Sequence, residues 1–187
     1  MRKFGFSKKK AKFIEKSHKT LFKEYYQYIS DRLDEAQVTG FVRLAYGLKL
    51  RTPVIKAGIK GGASKQAIEQ ERRSAGNALF QSYGLMTMRA FSKFMEMVRN
   101  HKEYYYQVRP IITIYDSIYL DIPNDIDCLH WCNENLIKCM RDITGCPELS
   151  HPIISLESDL EVFYPSWSDP ISLSNGLSKQ EILDKLA

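Results

Sequence analysis

Residues 110–123, Pro-Ile-Ile-Thr-Ile-Tyr-Asp-Ser-Ile-Tyr-Leu-Asp-Ile-Pro, constrain this chain more than any other stretch. Two runs rich in β-branched and aromatic side chains meet at Tyr115-Asp116-Ser117, and Pro110 and Pro123 close them on their outer sides. Such side chains suit a pleated surface better than a helix, and a polar centre between two of these runs is where a chain reverses. The pattern predicts a β-hairpin with a polar tip. A chain holding it is not all-helical, and a lone hairpin is marginal in water unless something packs on it.

The remainder reads mostly as helix, which makes the expected fold class α+β. Ser7 is placed to cap a basic helix whose apolar positions, Ala11, Ile14, His18, Leu21, Phe22, Tyr25 and Ile29, recur every three or four residues. It is expected from about 8 to 37, broken near Tyr25 and ended by Gly40. Residues 41–46 are short and β-prone, and Lys56 to Lys65 reads as a mobile basic loop rich in Gly. That loop does not fit GxxxxGK[ST], and no convincing strand precedes it, so it is not a nucleotide-binding P-loop. From Lys65 to Tyr104 there is no proline, which predicts one long helix with Gly76 and Gly84 as weak points. After the hairpin, Asn124 or Asp125 caps a helix whose stripe (Ile126, Leu129, Asn133, Leu136, Ile137, Met140) stops near Gly145. Residues 152–163 alternate as a strand, and Ser178-x-x-Glu181 is a capping box for a last short helix.

Of the 187 residues, 44% are hydrophobic and 26% charged, which fits a globular chain of about one domain and excludes a disordered or collagenous one. No stretch approaches the ~18 apolar residues of a membrane span, and the start lacks an apolar leader. The expectation is a cytoplasmic protein without a membrane partner. Cys128, Cys132, Cys139 and Cys146 are separated by four, seven and seven positions, with only His130 and His151 near. That spacing fits buried reduced thiols better than a zinc site. Residues 1–110 carry 23 Lys and Arg against 9 Asp and Glu, whereas residues 111–187 carry 4 against 13. A basic first part suits a polyanionic partner, and the acidic part is either solvated surface or a holder of divalent cations.

Three motifs fall in a recognisable order. Gly40-Phe-Val42-Arg-Leu-Ala-Tyr-Gly47-Leu-Lys-Leu-Arg-Thr-Pro53 resembles the GxVxTxxGRRRxxP segment of family A DNA polymerases, the family of bacterial DNA polymerase I and many phage replicative polymerases. Glu71-Arg72-Arg73-Ser-Ala-Gly-Asn77-Ala-Leu-Phe-Gln81-Ser-Tyr-Gly84 resembles that family's ERxAxNxxxQxxxA helix. Ile112-Thr-Ile-Tyr115-Asp116-Ser117-Ile-Tyr-Leu resembles its third catalytic motif, which has His-Asp-Glu between apolar strands. Glu157, Glu161 and Trp167 resemble its closing strand and Trp. The likeness covers roughly residues 4 to 168. Tyr115 and Ser117 replace the usual His and Glu, and Leu48 and Leu50 interrupt the arginine run.

The resemblance implies a division into fingers-derived helices and a basic Gly-rich loop (1–64), a palm segment (65–170) and a C-terminal tail (171–187). It implies DNA-directed nucleotidyl transfer with two Mg2+ ions, Asp116 as a catalytic and metal-binding carboxylate, and Arg73, Asn77, Gln81 and Tyr115 as DNA contacts. Primed DNA template and a deoxynucleoside triphosphate would be the partners in the assembled enzyme. The family's other metal-binding Asp and its RxxxKxxxFGxxYG helix belong upstream of residue 4, so an N-terminal polymerase fragment is expected as a partner and the isolated chain is expected to be inactive. Such a chain is either a split-gene product or a truncated remnant. The second functional reading is a catalytically inert nucleic-acid-binding or interaction module derived from a polymerase.

Each residue also has a plainer reading. Asp116 is a common turn residue. The Arg73, Asn77 and Gln81 stripe at i, i+4 and i+8 is an ordinary polar helix face, and Tyr115 is either a stacking group or a core tyrosine. Asp121 is placed by alternation on the face opposite Asp116 and reads as solvated surface. Ser117 lacks the charge of a carboxylate. The lysines of residues 8–23 read as a solvated face adding a general field.

Overall fold

Ser7 does what its position predicts: its side chain accepts from the Lys10 amide at 3.2 Å and starts the first helix. The computed structural model describes residues 5–187, so Phe4, where the polymerase likeness begins, lies outside them. Contacts divide the chain into two compact units, residues 1–82 and residues 83–187.

In the first unit, helix α1 (Lys8–Leu21) gives way to α2 (Lys23–Thr39) at Phe22. The break is three residues earlier than expected, because Phe22 leaves helical geometry (φ −106°, ψ 43°). Gly40 ends α2 with φ 81°, where a Cβ would come within 2.8 Å of the Lys56 side chain. Strands β1 (Phe41–Arg43) and β2 (Lys49–Arg51) pair antiparallel with Val42 opposite Leu50. The β-prone run thus stops at Arg43 and turns through Tyr46 and Gly47, both at positive φ.

The expected basic loop is partly helix. Pro53, whose ring presets a helical φ, opens α3 (Pro53–Gly58), and only the turn beyond it is irregular. Ser64 then caps α4 (Lys65–Gln81) by accepting from the Ala67 amide. Leu33 and Ala36 of α2, Val42, Ile55, and Ala75 and Leu79 of α4 form this unit's core. The expected boundary after residue 64 falls inside the unit, because α3 and α4 pack on each other.

The long helix expected over 65–104 is interrupted at Ser82–Gly84 by a 3-10 turn, and α5 (Leu85–Asn100) follows. Ser82 explains the interruption from within the first unit. Its hydroxyl donates to the Leu79 carbonyl at 2.7 Å and accepts from the Ala45 amide at 2.9 Å, so its backbone is held to the β1–β2 connection.

In the second unit, Ala90, Phe94 and Val98 of α5, spaced four apart, pack against Cys128, Cys132, Leu136 and Cys139 of α6 (Ile126–Met140). Full burial of Phe94 is worth about 2–3 kcal/mol. Strands β3 (Arg109–Ile114) and β4 (Ser117–Asp121) form the expected antiparallel hairpin, with a register shift between Pro110 and Ile112. Asp125, the second of the two candidate caps, accepts from the Asp127 amide and starts α6. That helix ends at Met140 rather than near Gly145, where Asp142 takes the Thr144 amide in a local turn.

Of the strand expected over 152–163 only β5 (Leu160–Phe163) forms, since pairing reaches no further than its partner β6 (Pro170–Leu173). Residues 171–187 are part of this unit rather than an appendage. Leu173 of β6 and Ile182 of α7 (Lys179–Leu186) are fully buried and pack with Leu129 of α6, and the Ser178–Glu181 capping box forms in both directions. The fold is α+β, built among the described residues of helices and three small antiparallel hairpins.

Candidate functional site

On α4, Arg73, Asn77 and Gln81 are all exposed and lie on one stripe. Two residues further along a helix is a turn of about 200°, which sends Ala75 and Leu79 into the core while their neighbours project outward. The stripe is positioned rigidly. Glu71 accepts from the Ile55 amide at 2.6 Å and so fixes α3 on α4, and Arg72 faces Asp34 of α2 at 3.5 Å. At the other end Ser82 anchors the residue after Gln81. Two of the sequence motifs, residues 40–53 and the 71–82 part of the other, are therefore joined through the Ala45–Ser82 hydrogen bond and through Val42, Ala75 and Leu79. In the sequence Glu71 and Ser82 stand out only as members of a motif; their tertiary role leaves no local signal.

In the second unit Ile114 pairs with Ser117, which leaves Tyr115 and Asp116 as the two turn residues of the hairpin. Tyr115 has φ 53° and is 95% exposed, so the core-tyrosine reading is corrected. Left-handed backbone at a bulky residue is uncommon and costs on the order of 1 kcal/mol. Asp116 is exposed beside it. Because Asp116 lies in the turn, strand alternation does not relate it to Asp121, which pairs with Arg109 at the open end of the hairpin. Between Ser117 and Asp121 the strand rises about 13 Å, so the two acids are at opposite ends of β4.

Mg2+ is held by several oxygen ligands, and two-ion phosphoryl transfer needs more than one carboxylate. Among the described residues no group of three His, Cys, Asp or Glu side chains converges as a metal site would require. At the tip the donors are one carboxylate and the hydroxyls of Tyr115 and Ser117. These residues fit a contribution to a shared metal site and do not make up a whole one.

The closing segment reaches the hairpin from the side. Trp167 stacks on Phe163 at 4.4 Å and on Tyr119 of β4 at 5.4 Å, and Trp167 is 64% exposed. This aromatic ledge was visible in sequence only as Phe163-Tyr164-Pro165-Ser166-Trp167; its partner Tyr119 was not. The cysteines do something else. Cys128, Cys132 and Cys139 lie buried in the α5–α6 core, and Cys146 is buried as well. Burial pushes the first three thiols above their ordinary values, which keeps them protonated and poor as ligands or nucleophiles. His151 accepts from the amides of Ile153 and Ile154 in its own loop.

No family model, curated protein or solved structure matches the chain. No helix among the described residues is long and apolar enough to cross a membrane.

Proposed function

We propose that the chain is the C-terminal part of a template-directed DNA polymerase of family A. In this reading Asp116 gives one carboxylate to a two-Mg2+ site, and Arg73, Asn77 and Gln81 contact the duplex of primer and template. The other metal-binding Asp and the helix that holds the triphosphate come from outside these residues, from sequence joined to them or from a second polypeptide. Minor-groove acceptors are common to every base pair, so side-chain donors on one stripe can grip a duplex without reading its sequence. The observation that carries the reading is the ordered set of three motifs. The exposed stripe on α4 and the acid at a hairpin tip are the dispositions that such chemistry asks of their residues.

The second reading, an inert nucleic-acid-binding module of the same descent, is favoured by Ser117, whose hydroxyl cannot replace the charge of a carboxylate.

Primer extension separates the two. The chain alone should incorporate nothing, and mixing it with the polypeptide encoded immediately upstream should restore template-dependent extension. Asp116→Asn should then abolish turnover while leaving primed DNA bound. Extension by the chain alone would overturn the requirement for a partner. Undiminished extension by the Asp116→Asn mixture would show that the tip is a plain turn and favour the inert module.

A further inference from the structure

Helix α1 presents a different problem from the polymerase motifs. None of its residues is buried, and large apolar side chains stand in solvent: Phe13 is 70% exposed, Ile14 43% and Leu21 76%. His18 bonds the Tyr26 hydroxyl of α2 at 3.0 Å and its ring lies against Phe22, yet a helix of 14 residues that buries no face is marginal in water, because its stability comes mostly from such burial. At about 100° per residue, Lys8, Lys12, Lys16 and Lys19 fall in one sector roughly 80° wide. Ala11, Ile14, His18 and Leu21 fall in another of the same width, with sector centres about 140° apart. Phe13 occupies the flank between them. The only acid in α1, Glu15, is bonded to Lys19 at 2.7 Å, and that bond lowers its pKa. Lys23, the first residue of α2, extends the basic side.

We propose that α1 docks in the plane of an anionic phospholipid surface, with the lysines on the headgroups and Ile14, Leu21 and Phe13 in the boundary with the acyl chains. Charge complementarity selects an anionic partner. The apolar sector selects among anionic partners: a nucleic acid would neutralise the lysines and leave Ile14 and Leu21 in water, whereas a lipid interface covers both sectors together. The expectation of no membrane partner rests on the lack of a span, and lying on a surface is a different geometry. About 21 Å of helix is too short to cross the hydrocarbon layer and suits the interfacial plane. This proposal does not depend on the polymerase reading.

The test is cosedimentation of the full chain with vesicles of phosphatidylcholine alone and of phosphatidylcholine and phosphatidylserine in equal parts, with duplex DNA binding measured in parallel. The chain should bind the anionic vesicles and ignore the neutral ones. Ile14→Ser with Leu21→Ser should weaken vesicle binding by on the order of tenfold or more and leave DNA binding unchanged. Lys12→Gln with Lys16→Gln should weaken vesicle binding by about fivefold for each lysine removed. All four side chains are exposed, and circular dichroism verifies that the fold is kept. The proposal is overturned if the chain does not bind anionic vesicles, or if the Ile14/Leu21 variant binds them as well as the unmodified chain. It is equally overturned if those two residues hold a dimer in sedimentation equilibrium while vesicles go unbound.

Discussion

Lys93 and Asp142 show how one pair can fasten two helices. The ammonium of Lys93 on α5 lies 2.5 Å from the carboxylate of Asp142, just beyond α6. Hydrogen bonds from Lys93 and then from Thr144 hold the Asp142 carboxyl far below the usual carboxylate range, and the same partner raises Lys93. A depressed acid contributes stability above its unfolded pKa, about 3.9, and loses that contribution as pH falls through the folded value. More than half of the Lys93 side chain is exposed, so the pair is worth about 0.5–1 kcal/mol after solvent screening. Denaturant unfolding of Lys93→Ala should show that deficit at neutral pH. The gap between variant and unmodified chain should begin to narrow as the pH drops below the ordinary carboxylate value, where the unfolded chain takes up the proton first, and close only below the depressed folded value, where Asp142 is protonated in both states. A gap that is the same at pH 7 and in strong acid would mean that the loss is one of packing and not of charge.

Elements differ in how far local chemistry decides them. Ser178 and Glu181 lie three residues apart and need no distant partner, so the start of α7 was legible, as was Gly40 at the end of α2. The hairpin was legible because each strand carries its own β-branched run. The break at residues 82–84 was legible only as a weak point at Gly84; what fixes it there is the bond of Ser82 to Ala45, which lies 37 residues away. Residues 152–159 alternate as a strand should, yet they stay irregular because β6 pairs only with residues 160–163. The docking of residues 171–187 was equally hidden, because the two buried residues among them, Leu173 and Ile182, gain their meaning only from Leu129. That last cluster makes the cap testable. Ser178→Ala removes the acceptor for the Glu181 amide and should cost about 1 kcal/mol, whereas Ile182→Ala opens a cavity and should cost about 2–5 kcal/mol. Thermal unfolding of the two variants should rank them in that order. If Ser178→Ala proved the costlier, α7 would be held by its cap more than by its packing.

At the scale of the molecule the charge asymmetry sets the physics of any nucleic-acid contact. Residues 1–82 carry 18 Lys and Arg against 7 Asp and Glu, and residues 83–187 carry 9 against 15. If the first unit grips primed duplex DNA, its lysines act by releasing counterions, and affinity should fall steeply as salt rises. The stripe on α4 acts differently. Gln81 is neutral, so Gln81→Ala should weaken binding by about 1–3 kcal/mol at every salt concentration without altering the slope of log K against log salt. Lys60, exposed in the turn after α3, carries a full charge, and Lys60→Ala should reduce the magnitude of that slope by about one if the residue meets a phosphate. Fluorescence anisotropy of a labelled primed duplex over a salt series measures both quantities at once. A salt-independent affinity would remove the first unit from the DNA-facing surface. A Gln81→Ala variant that changes the slope and not the intercept would show that the stripe belongs to the general field of positive charge and makes no contact of its own.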